Sequence, residues 1–589
     1  MQIKIKSDNF DKSLINDLSK KFNISQLITK IILSRGLKTE KEIDEFLNQS
    51  ISRLHNPFSF KDMKKAVDRI RNAILMKEKI LIYGDRDVDG ICAVVILFTI
   101  LKDLGAEEIY HYISDSCGYG LHKHIIDIYI KKGVSLIITT DCGIRDVEAV
   151  NYANSFNIDC IITDHHEPAE VLPEAYALIC SKIKDDTYPD HSICGATISY
   201  KLAQALIKKE TDVVSIDRLP AKTEFIKSIH NKNTKIIQAK LKDLLILSGI
   251  ATIADVVPLI GENRIISKFC LSNICETEIP GLQLILKKLL NNKDYITVRD
   301  IAFKIAPLLN SPGRFENSEL TFKLLTCTST DALESIKKVL KFDKLRKEVT
   351  LENSLIINKL LEEQVDKEND NIFLLIANKM RHGVTGIVAN RILAGYSKPV
   401  IILINDGREI IGAGRSNEDV DLIEILKQCQ DCLKKYGGHS QAVGLTLKRE
   451  KLQEFKRRVK EIAKKLILTK NYLDIDMCLN IQDISFKFAS ELSLLEPFGC
   501  GNPEPLFLLK DMKISEDKQV GKNKEHIKIK AQDNLSSINM VYFNGKDKFY
   551  ETIDKSARFD IIVRLYIDEY LGIKRVNTVI EEIYPSNSR

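Results

Sequence analysis

The sequence predicts an α/β protein of several domains that ends in a β-barrel. Between residues 79 and 342, short apolar runs alternate with helical stretches, which predicts a parallel sheet with helices on both faces. Residues 343–370 are highly charged and lack proline and glycine, a composition that suits a solvent-exposed helix. From residue 472 onward, short β-rich runs separated by turn residues predict the barrel.

Length and composition narrow the class of protein. The chain of 589 residues is long enough for three or four domains. Its apolar fraction of 44% and charged fraction of 29% are close to globular averages, so neither disorder nor a membrane span is indicated. The net charge of +6 permits a nucleic-acid partner without requiring one. The first residues lack an apolar signal segment and the 13 cysteines are scattered through apolar runs, so we expect a cytoplasmic protein with reduced thiols.

The first 78 residues are predicted to form helices with an exposed N-terminal arm. Apolar residues recur at helical spacing in residues 24–33, 40–47 and 62–76. No function is visible there. The strands of the following parallel sheet are predicted at residues 80–83, 108–113, 134–140, 158–163 and 177–180.

Three aspartates stand on alternate residues where the first of these strands ends. They are Asp85, Asp87 and Asp89, and Gly90 and a buried helix follow them. In open α/β sheets, ligands bind at the carboxyl ends of the strands, so these carboxylates are candidates for holding a metal ion. A solvated turn is the alternative interpretation, because aspartate and glycine are common turn residues.

Two further predicted strands run straight into candidate ligands. One is followed by Asp141, and the other by Asp164, His165 and His166. If the strands are neighbours, these side chains converge with the three aspartates at one edge of the sheet. A further carboxylate, Asp255, lies between two apolar runs, where a cation is a natural partner for it.

This set of donors predicts a pair of divalent ions. Oxygen-rich sites with one or two imidazoles suit Mn²⁺ or Mg²⁺ better than zinc. Two such ions, about 3.5–4 Å apart, clamp the attacking and leaving oxygens of a phosphoryl displacement. Asp141, on the middle strand, is the best candidate for the shared carboxylate, with Asp87 on one ion. The second ion would be held by Asp89, His165 and Asp255. His166 remains free to contact the scissile phosphate or to assist the leaving group as an acid.

In their order, these residues resemble the DHH phosphoesterase superfamily, named for the run that stands here as Asp164-His165-His166, and within it the RecJ family. The resemblance covers nearly the whole chain. The block at residues 496–505 is similar to the segment that leads into the OB-fold of that family. The other blocks that carry the resemblance are residues 194–196, 306–314, 383–389, 412–416 and 436–439.

The resemblance implies a 5′-to-3′ exonuclease that degrades single-stranded DNA to mononucleotides with two Mn²⁺ or Mg²⁺ ions, in DNA repair and recombination. It also implies a monomer, without membrane association, whose partners are single-stranded DNA, a single-strand-binding protein and a RecQ-type helicase. The expected domains are an N-terminal helical arm (1–78), a DHH phosphoesterase domain (79–342), a connecting helix (343–370), a smaller α/β DHH-associated substrate-binding domain (371–471) and an OB-fold nucleic-acid-binding domain (472–589).

The resemblance also implies roles for individual residues. Asp85 would support the first metal, and His166, with Asp164, would act beside the phosphate. The metal ligands would be Asp87, Asp89, Asp141, His165 and Asp255. The substrate-binding residues would be Arg314, Arg415, Ser416, Gly437, Gly438 and His439. Arginine and serine donors suit a terminal 5′-phosphate, and the two glycines let backbone approach a phosphate. An ordinary tight turn is the alternative interpretation of the glycines.

The chain departs from the family pattern in four places. Arg86 stands where the family has an aromatic residue, which adds positive charge beside the metals. Residues 115–120 form a shorter segment that lacks the family's arginine, and residues 380–382 replace an expected Trp-His pair. The chain contains no tryptophan, so base stacking falls to Tyr, Phe, His or Arg.

The barrel region carries interleaved lysines that suit a surface tracking a phosphate backbone, although a solvated lysine-rich face is the alternative. They are Lys513, Lys518, Lys522, Lys524, Lys528 and Lys530. We expect the extra C-terminal domain of some relatives to be missing.

Two other functions stay open. One is a phosphodiesterase that acts on short oligonucleotides or cyclic dinucleotides. Enzymes of that kind are typically shorter than this chain and lack the OB-fold. The other is a non-catalytic DNA-binding scaffold, which the intact ligand set disfavours.

Overall fold

The structure is a computed structural model of the 589-residue chain. It describes residues 2–6, 10–115, 118–207, 234–291, 293, 295–378, 380–405, 407, 409–466, 472–554, 557–570 and 573–586. No helix within these ranges is both long and apolar enough to cross a membrane. The predicted order of a parallel-sheet domain, a long helix, a smaller α/β domain and a barrel is confirmed.

The N-terminal segment packs against the C-terminal barrel. Strand β1 (Gln2–Ile5) runs parallel to the strand Tyr472–Ile475. Three helices follow: α1 (Lys12–Phe22), α2 (Gln26–Ser34) and α3 (Glu40–Leu47). Ile28 and Ile31 of α2 are fully buried in the core that also contains the barrel. The segment is therefore not the exposed arm that the sequence predicted, because the apolar faces of its helices are covered by the barrel.

The parallel sheet has the strand order β3-β2-β4-β5-β6. Its strands are β2 (Lys79–Asp85), β3 (Ile109–Ser114), β4 (Val134–Thr140), β5 (Asp159–Thr163) and β6 (Ala177–Ile179), close to the predicted bounds. Alternate residues of β2 enter two different cores: Ile80 and Ile82 face one side, and Leu81 and Tyr83 face the other. Burial on both faces explains why these strands read as continuous apolar runs.

Helices cover both faces of this sheet. Helix α5 is apolar on nearly every side and buried, so it forms the centre of the larger core. A π-helical turn, Ile301–Ile305, joins helix α12 (Val298–Asp300) to helix α13 (Ala306–Leu309). The helices are α4 (Met63–Leu75), α5 (Val88–Asp103), α6 (Lys123–Ile130), α7 (Val147–Asn154), α8 (Gly195–Ile207), α9 (Thr234–Ala254), α10 (Gly261–Asn273), α11 (Pro280–Leu290), α12 (Val298–Asp300), α13 (Ala306–Leu309) and α14 (Glu319–Thr326).

The long helix α15 spans Ala332–Gln364, so it begins and ends earlier than the predicted 343–370. Its first turns bury Ile336 and Val339 in the core of the parallel-sheet domain. Its last turns bury Ile357 and Leu361 in the core of the next domain. The prediction followed the highly charged stretch and missed the start, because that part is anchored by packing rather than marked by charge.

The next domain contains a mixed sheet of order β10-β11-β9-β8-β7, in which only β7 and β8 are parallel. Its elements are β7 (Phe373–Asn378), α16 (Thr385–Tyr396), β8 (Val400–Asn405), β9 (Ile410–Arg415), α17 (Leu422–Lys427), β10 (Leu433–His439), β11 (Ala442–Leu447) and α18 (Leu452–Lys464). The hairpin formed by β10 and β11 projects towards the parallel-sheet domain.

The C-terminal strands close into a barrel because β14 pairs with both β15 and β17. Its elements are β12 (Tyr472–Ile475), β13 (Met477–Cys478), α19 (Phe486–Leu492), β14 (Phe507–Val520), β15 (His526–Gln532), β16 (Ser537–Tyr542), α20 (Lys546–Thr552), β17 (Arg558–Tyr570) and β18 (Ile573–Pro585). Short 3₁₀ turns elsewhere in the chain are Ile51–Arg53, Pro57–Ser59, Ile274–Glu276, Gly313–Phe315, His382–Val384, Gln430–Cys432, Arg449–Lys451, Ile481–Asp483 and Ser493–Leu495.

Truncating a helix that packs on the barrel tests this arrangement. Ile31→Ala should lower the free energy of unfolding by about 2–5 kcal/mol, because Ile31 is fully buried in the shared core. Ile51→Ala is the matched control, since Ile51 is 51% exposed and its truncation leaves no cavity. Urea unfolding measures both variants, and equal stability would show that the N-terminal helices do not pack on the barrel.

Candidate active site

The first acidic turn lies where β2 meets α5. Asp87 caps α5 by accepting a hydrogen bond from the Gly90 backbone N–H at 3.1 Å, and Asp89 lies in the first turn of the helix. A Cβ atom on Gly90 would lie 2.4 Å from the Asp85 carbonyl oxygen. Glycine is therefore required for the turn to fold back on the end of β2, which brings Asp85 and Asp87 to one edge of the sheet.

Asp89 is held by the beginning of α8. Its two carboxylate oxygens accept hydrogen bonds from the backbone N–H groups of Gly195 and Ala196, each at 2.7 Å. A Cβ atom on Gly195 would lie 2.7 Å from the Cβ of Asp141. The block at residues 194–196 thus positions one carboxylate and leaves space for another, a role that the sequence alone did not show.

Asp141 occupies the centre of the site. It follows β4 with a φ of +59°, which turns the chain sharply at the end of the strand. Its backbone N–H donates to the Thr163 carbonyl at 2.9 Å, across to the neighbouring strand. Its Oδ1 atom is buried and accepts no hydrogen bond from any residue that the structure describes. An unsatisfied, buried carboxylate oxygen of this kind is the expected environment of a cation.

His165 faces three carboxylates with the same ring atom. Its Nε2 lies 3.1 Å from Asp141 Oδ1, 3.7 Å from Asp89 Oδ2 and 3.8 Å from Asp255 Oδ2. Burial, followed by the charge of His166, lowers the pKa of His165 to about 3. The imidazole is therefore neutral at physiological pH, which is the form that binds a metal.

The predicted ligands converge into three overlapping sets. In each set, the possible ligand atoms lie within 4.8 Å of one another: Asp85, Asp87 and Asp141; Asp89, His165 and Asp255; and Asp141, His165 and His166. Asp141 belongs to two sets, as a carboxylate shared by two ions would. Burial and the neighbouring carboxylates raise the pKa of Asp141 and Asp255 well above the ordinary value. The oxygen-rich donor set with one neutral imidazole fits a pair of Mn²⁺ or Mg²⁺ ions.

Asp164 orients His166. The His166 Nδ1 atom lies 2.8 Å from Asp164 Oδ1 and also 2.8 Å from the Tyr119 hydroxyl. Asp164 accepts further hydrogen bonds from the backbone N–H groups of Ile144, His165 and His166. Burial opposes a charge on His166, but the hydrogen bond and negative charge of Asp164 outweigh it and raise the pKa of His166. Asp164 therefore favours the protonated, hydrogen-bond-donating form of His166 beside the ligand cluster.

The hairpin of the smaller domain closes over His166. The ring of His439 stacks on His166 with a centroid distance of 5.1 Å and an interplanar angle of 12°. Gly438 has a φ of +123°, and a Cβ atom there would lie 2.2 Å from the Ala442 carbonyl oxygen. Gly437 and Gly438 do belong to a tight hairpin, but that hairpin lies against the site, so the two interpretations of these glycines describe the same feature.

A group of four arginines, here called the arginine pocket, lies beside the ligand cluster. Its members are Arg86, Arg314, Arg346 and Arg415. Arg314 is largely buried, donates to the Gly383 carbonyl at 3.2 Å, and keeps its Nε without a partner among the described residues. Burial, together with the charges of Arg346, Arg415 and Arg86, lowers the pKa of Arg314 to about 10. Guanidinium groups gathered this closely favour a bound anion.

Arg415 lies near Arg314, and Ser416 follows it in the chain. Arg415 donates to the Gly414 carbonyl at 2.8 Å, and its guanidinium lies against Gly386. The Ser416 hydroxyl is buried and makes no hydrogen bond within the described ranges. The Ser416 hydroxyl and the guanidinium groups of Arg314 and Arg415 are donors suited to the oxygens of a phosphate.

Arg86 belongs to the arginine pocket and also acts on the acidic cluster. It donates to the Asp115 carbonyl at 3.2 Å, while the Asp115 carboxylate accepts from the Ser318 hydroxyl at 2.5 Å. The charge of Arg86 lowers the pKa of Asp85, but burial raises that pKa by more. At Arg314, burial and the charge of Arg86 both lower the pKa, and burial has the larger effect. Residues 116 and 117 of the shortened segment lie outside the described residues.

Sequence reasoning missed three residues of the site. Arg346 extends from the long helix and is held by Asp343 at 2.7 Å, but nothing distinguishes it among the charges of that helix. The sequence pattern predicts no role for Tyr119. Lys182 pairs with Glu167 at 3.1 Å, and its charge partly offsets the rise in the pKa of Asp255. Only the folded chain brings these residues to the site.

The acidic cluster should make the stability of the metal-free protein depend on pH. Burial and the charge of Asp87 raise the pKa of Asp85 to about 7, so protonation of Asp85 stabilises the folded state. This stability is present near pH 4 and is lost as the pH rises towards 7. In EDTA, Asp85→Asn should therefore raise the melting temperature at pH 8, by about 2–4 °C per kcal/mol of repulsion removed, and less at pH 5.

The control for this measurement is Asp185→Asn, which changes an exposed carboxylate outside the cluster. Differential scanning fluorimetry from pH 5 to pH 8 compares both variants with the unmodified protein. A melting temperature of Asp85→Asn that is unchanged or lower at pH 8 would contradict repulsion within the cluster.

Three domain families match the chain in order: the DHH family N-terminal domain at residues 79–237, the DHHA1 domain at residues 369–465 and the RecJ OB domain at residues 475–582. The chain is 30% identical over 580 residues to the single-stranded-DNA-specific exonuclease RecJ of Bacillus subtilis (strain 168), covering 97% of this chain and 70% of that protein. It is 27% identical over 579 residues to the Haemophilus influenzae protein of the same name, covering 95% of this chain and 96% of that protein.

A solved structure shares the whole fold. The crystal structure of RecJ in complex with Mn²⁺ from Thermus thermophilus matches with a TM-score of 0.81 and 22% sequence identity. The match covers 99% of this chain and 79% of that chain. The resemblance seen in the sequence is confirmed by these matches, and the chain belongs to the RecJ family of DHH-domain proteins.

Proposed function

We propose that this protein is a two-metal exonuclease that degrades single-stranded DNA from the 5′ end to mononucleotides. The observation that carries the proposal is the contiguity of the acidic cluster and the arginine pocket. Asp87 lies in the cluster and is close enough to Arg314 that its charge affects the pKa of that guanidinium. A strand end held in the pocket therefore has its first phosphodiester beside the candidate metal ligands.

The metal ligands fit the ions that the proposal requires. We assign Asp87, with support from Asp85, to one ion and Asp141 to both. The ligands of the second ion are Asp89, His165 and Asp255. Bound Mn²⁺ or Mg²⁺ would supply Lewis-acid stabilisation of the attacking and leaving oxygens in an in-line displacement. The related Thermus thermophilus protein is described in complex with Mn²⁺, which supports this choice of ion.

The protein's own groups then position the substrate and handle charge. Protonated His166 is oriented by Asp164 and can donate a hydrogen bond to the scissile phosphate as negative charge develops on it. His439 stacks on His166 and limits movement of its ring. The site lies between two domains, and the hairpin that carries His439 covers one face of the His166 ring.

The arginine pocket explains both polarity and product. Arg314 and Arg415, which are partly buried, and the buried Ser416 hydroxyl are donors suited to a terminal phosphate, with Arg346 near Arg314. If the pocket holds the 5′-phosphate, the next phosphodiester is the one cleaved, and a mononucleotide leaves. A cyclic dinucleotide has no terminal phosphate for this pocket and no need of the barrel.

The barrel provides a path for the rest of the strand. Lys518 and Lys528 are exposed and lie opposite each other on β14 and β15, where they can contact a phosphate backbone. The family resemblance further supports a cytoplasmic monomer in DNA repair and recombination, working with a single-strand-binding protein and a RecQ-type helicase.

Digestion of end-labelled oligonucleotides tests the proposed reaction. With Mn²⁺ or Mg²⁺, a 5′-labelled single strand should release labelled mononucleotide at once, whereas a 3′-labelled strand should shorten progressively. EDTA should stop both, and duplex DNA should resist degradation. Release of labelled mononucleotide first from the 3′ end would contradict the polarity.

Asp141→Ala is the matched variant for that experiment. It removes the carboxylate that belongs to two ligand sets, so metal-dependent release of nucleotides should be abolished. Binding of single-stranded DNA, measured by fluorescence anisotropy, should remain, because the arginine pocket and the barrel are intact. Retained nuclease activity would show that the ligand assignment is wrong, and cleavage of cyclic dinucleotides instead of DNA would favour the phosphodiesterase.

The arginine pocket makes a separate prediction about end chemistry. Arg415→Ala should remove most of the preference for a 5′-phosphate over a 5′-hydroxyl end, since a charge-assisted contact worth about 1.5–3 kcal/mol is lost. The kcat/KM values for both substrates measure the effect. Arg449→Ala is the control, because Arg449 belongs to the same domain but donates only to the Gly407 carbonyl among its described contacts. An unchanged preference in Arg415→Ala would exclude the pocket as the phosphate site.

A further inference from the structure

We propose that the turn at residues 499–502, here called the brace, is a positioning element that holds the candidate metal ligand Asp255 in place. The brace belongs to the distinctive block at residues 496–505, which precedes the barrel and has no role in the proposed reaction. This inference rests on the proposed function, because it assigns the brace to a metal ligand.

The chain that follows Asp255 is strained. Helix α9 ends at Ala254, and Val256 then adopts a φ of +58° with its side chain 67% exposed. Positive φ is unfavourable for a β-branched residue and persists only where the surrounding structure holds it. The turn that fixes Asp255 therefore depends on contacts from outside its own sequence.

Two hydrogen bonds hold this turn from opposite sides. The backbone N–H of Leu259, which is 3% exposed, donates to the Cys500 carbonyl at 2.7 Å. On the other side, the Asn263 side-chain amide donates to the Pro258 carbonyl at 3.1 Å. One of the two supports comes from within the parallel-sheet domain, and the other comes from the brace.

The brace approaches the residues after Asp255 so closely that any side chain on its glycines would displace a neighbour. A Cβ atom on Gly499 would lie 2.7 Å from Leu259 Cδ1. Gly501 has a φ of +71°, and its Cβ would lie 3.1 Å from Pro258 Cβ. Both glycines thus press backbone directly against the residues that follow Asp255, so a shift of the brace is transmitted to that turn.

The brace itself is firmly anchored. The Asn502 side chain donates to the Leu495 carbonyl at 2.8 Å and to the Pro497 carbonyl at 2.7 Å. Arg35, which follows α2, donates to the Asn502 side chain and, at 2.8 Å, to the Pro503 carbonyl.

The parallel-sheet domain also grips the block. Arg264 of α10 is buried and donates to the Leu494 carbonyl at 3.3 Å and the Pro497 carbonyl at 3.4 Å. Its guanidinium stacks 3.9 Å from the ring centroid of Phe46 in α3. Contacts from the end of α2, from α3 and from α10 therefore set the position of the brace, which links the docking of the barrel to the geometry of one metal ligand.

Direct measurement of Mn²⁺ binding tests this role. Gly501→Ala adds a methyl group against Pro258 and should weaken Mn²⁺ binding by about 10-fold or more, as loss of outer-shell support does. Titration of the full-length protein, with free Mn²⁺ followed by electron paramagnetic resonance, gives the affinity without activity. Asp255→Asn sets the scale, because it removes the ligand itself.

Two controls separate the brace from general strain. Gly105→Ala places alanine at a φ of +89°, where a Cβ meets nothing within 4 Å, so it carries a similar backbone cost without touching the brace or its anchors. Cys500→Ser changes an exposed side chain and keeps the carbonyl that accepts from Leu259. Both should bind Mn²⁺ like the unmodified protein.

The outcomes distinguish the possible failures. Equal Mn²⁺ affinity in Gly501→Ala and Gly105→Ala would overturn the positioning role. If Gly501→Ala does not fold, Gly499→Ala replaces it, since its Cβ meets a flexible leucine tip and should weaken Mn²⁺ binding in the same direction by a smaller factor. If the unmodified protein binds no Mn²⁺, the proposed function fails rather than the brace alone.

Discussion

The interaction on which the site depends is the crowding of five carboxylates, of which Asp89 and Asp141 are buried, at one edge of a parallel sheet. Asp85, Asp87, Asp89, Asp141 and Asp255 lie close enough together that burial and mutual repulsion raise their pKa values. A fold would not retain such a cluster for stability, because each buried charge costs free energy unless it is paired. Divalent cations resolve the conflict, and the same charge that makes the cluster unstable alone makes it a strong binding site for them.

The arginine pocket is the opposite charge arrangement placed directly beside this cluster. Arg314 lies among other guanidinium groups as Asp141 lies among carboxylates, and each keeps a buried polar atom without a hydrogen bond within the described residues. A nucleic acid with bound cations would satisfy both at once, since its phosphates pair with the arginines and bridge to the ions. The adjacency of the two clusters therefore carries more functional meaning than either cluster alone.

These groups come from separate domains, so the ties between domains matter to the chemistry. The long helix α15 is buried at one end in the parallel-sheet core and at the other in the smaller domain. It fixes the distance across which His439 meets His166. On the other side, Arg264 and the N-terminal helices join the parallel-sheet domain to the barrel. Packing of apolar helix faces thus determines how accurately polar groups on different domains can face one substrate.

Patterns in the sequence predict the strand-and-helix alternation, the barrel and the candidate ligands, because strand ends in a parallel sheet place their following residues at one edge. They predict Asp141 and His165 on this basis, and family resemblance supplied Arg314. Only the folded chain shows that the N-terminal helices cover the barrel and that α15 begins at Ala332. The same holds for the approach of Arg346 and Tyr119 to the site and for the contact of residues 499–502 with the turn after Asp255. These features depend on contacts between residues far apart in the chain, and local periodicity carries no information about which distant surfaces meet.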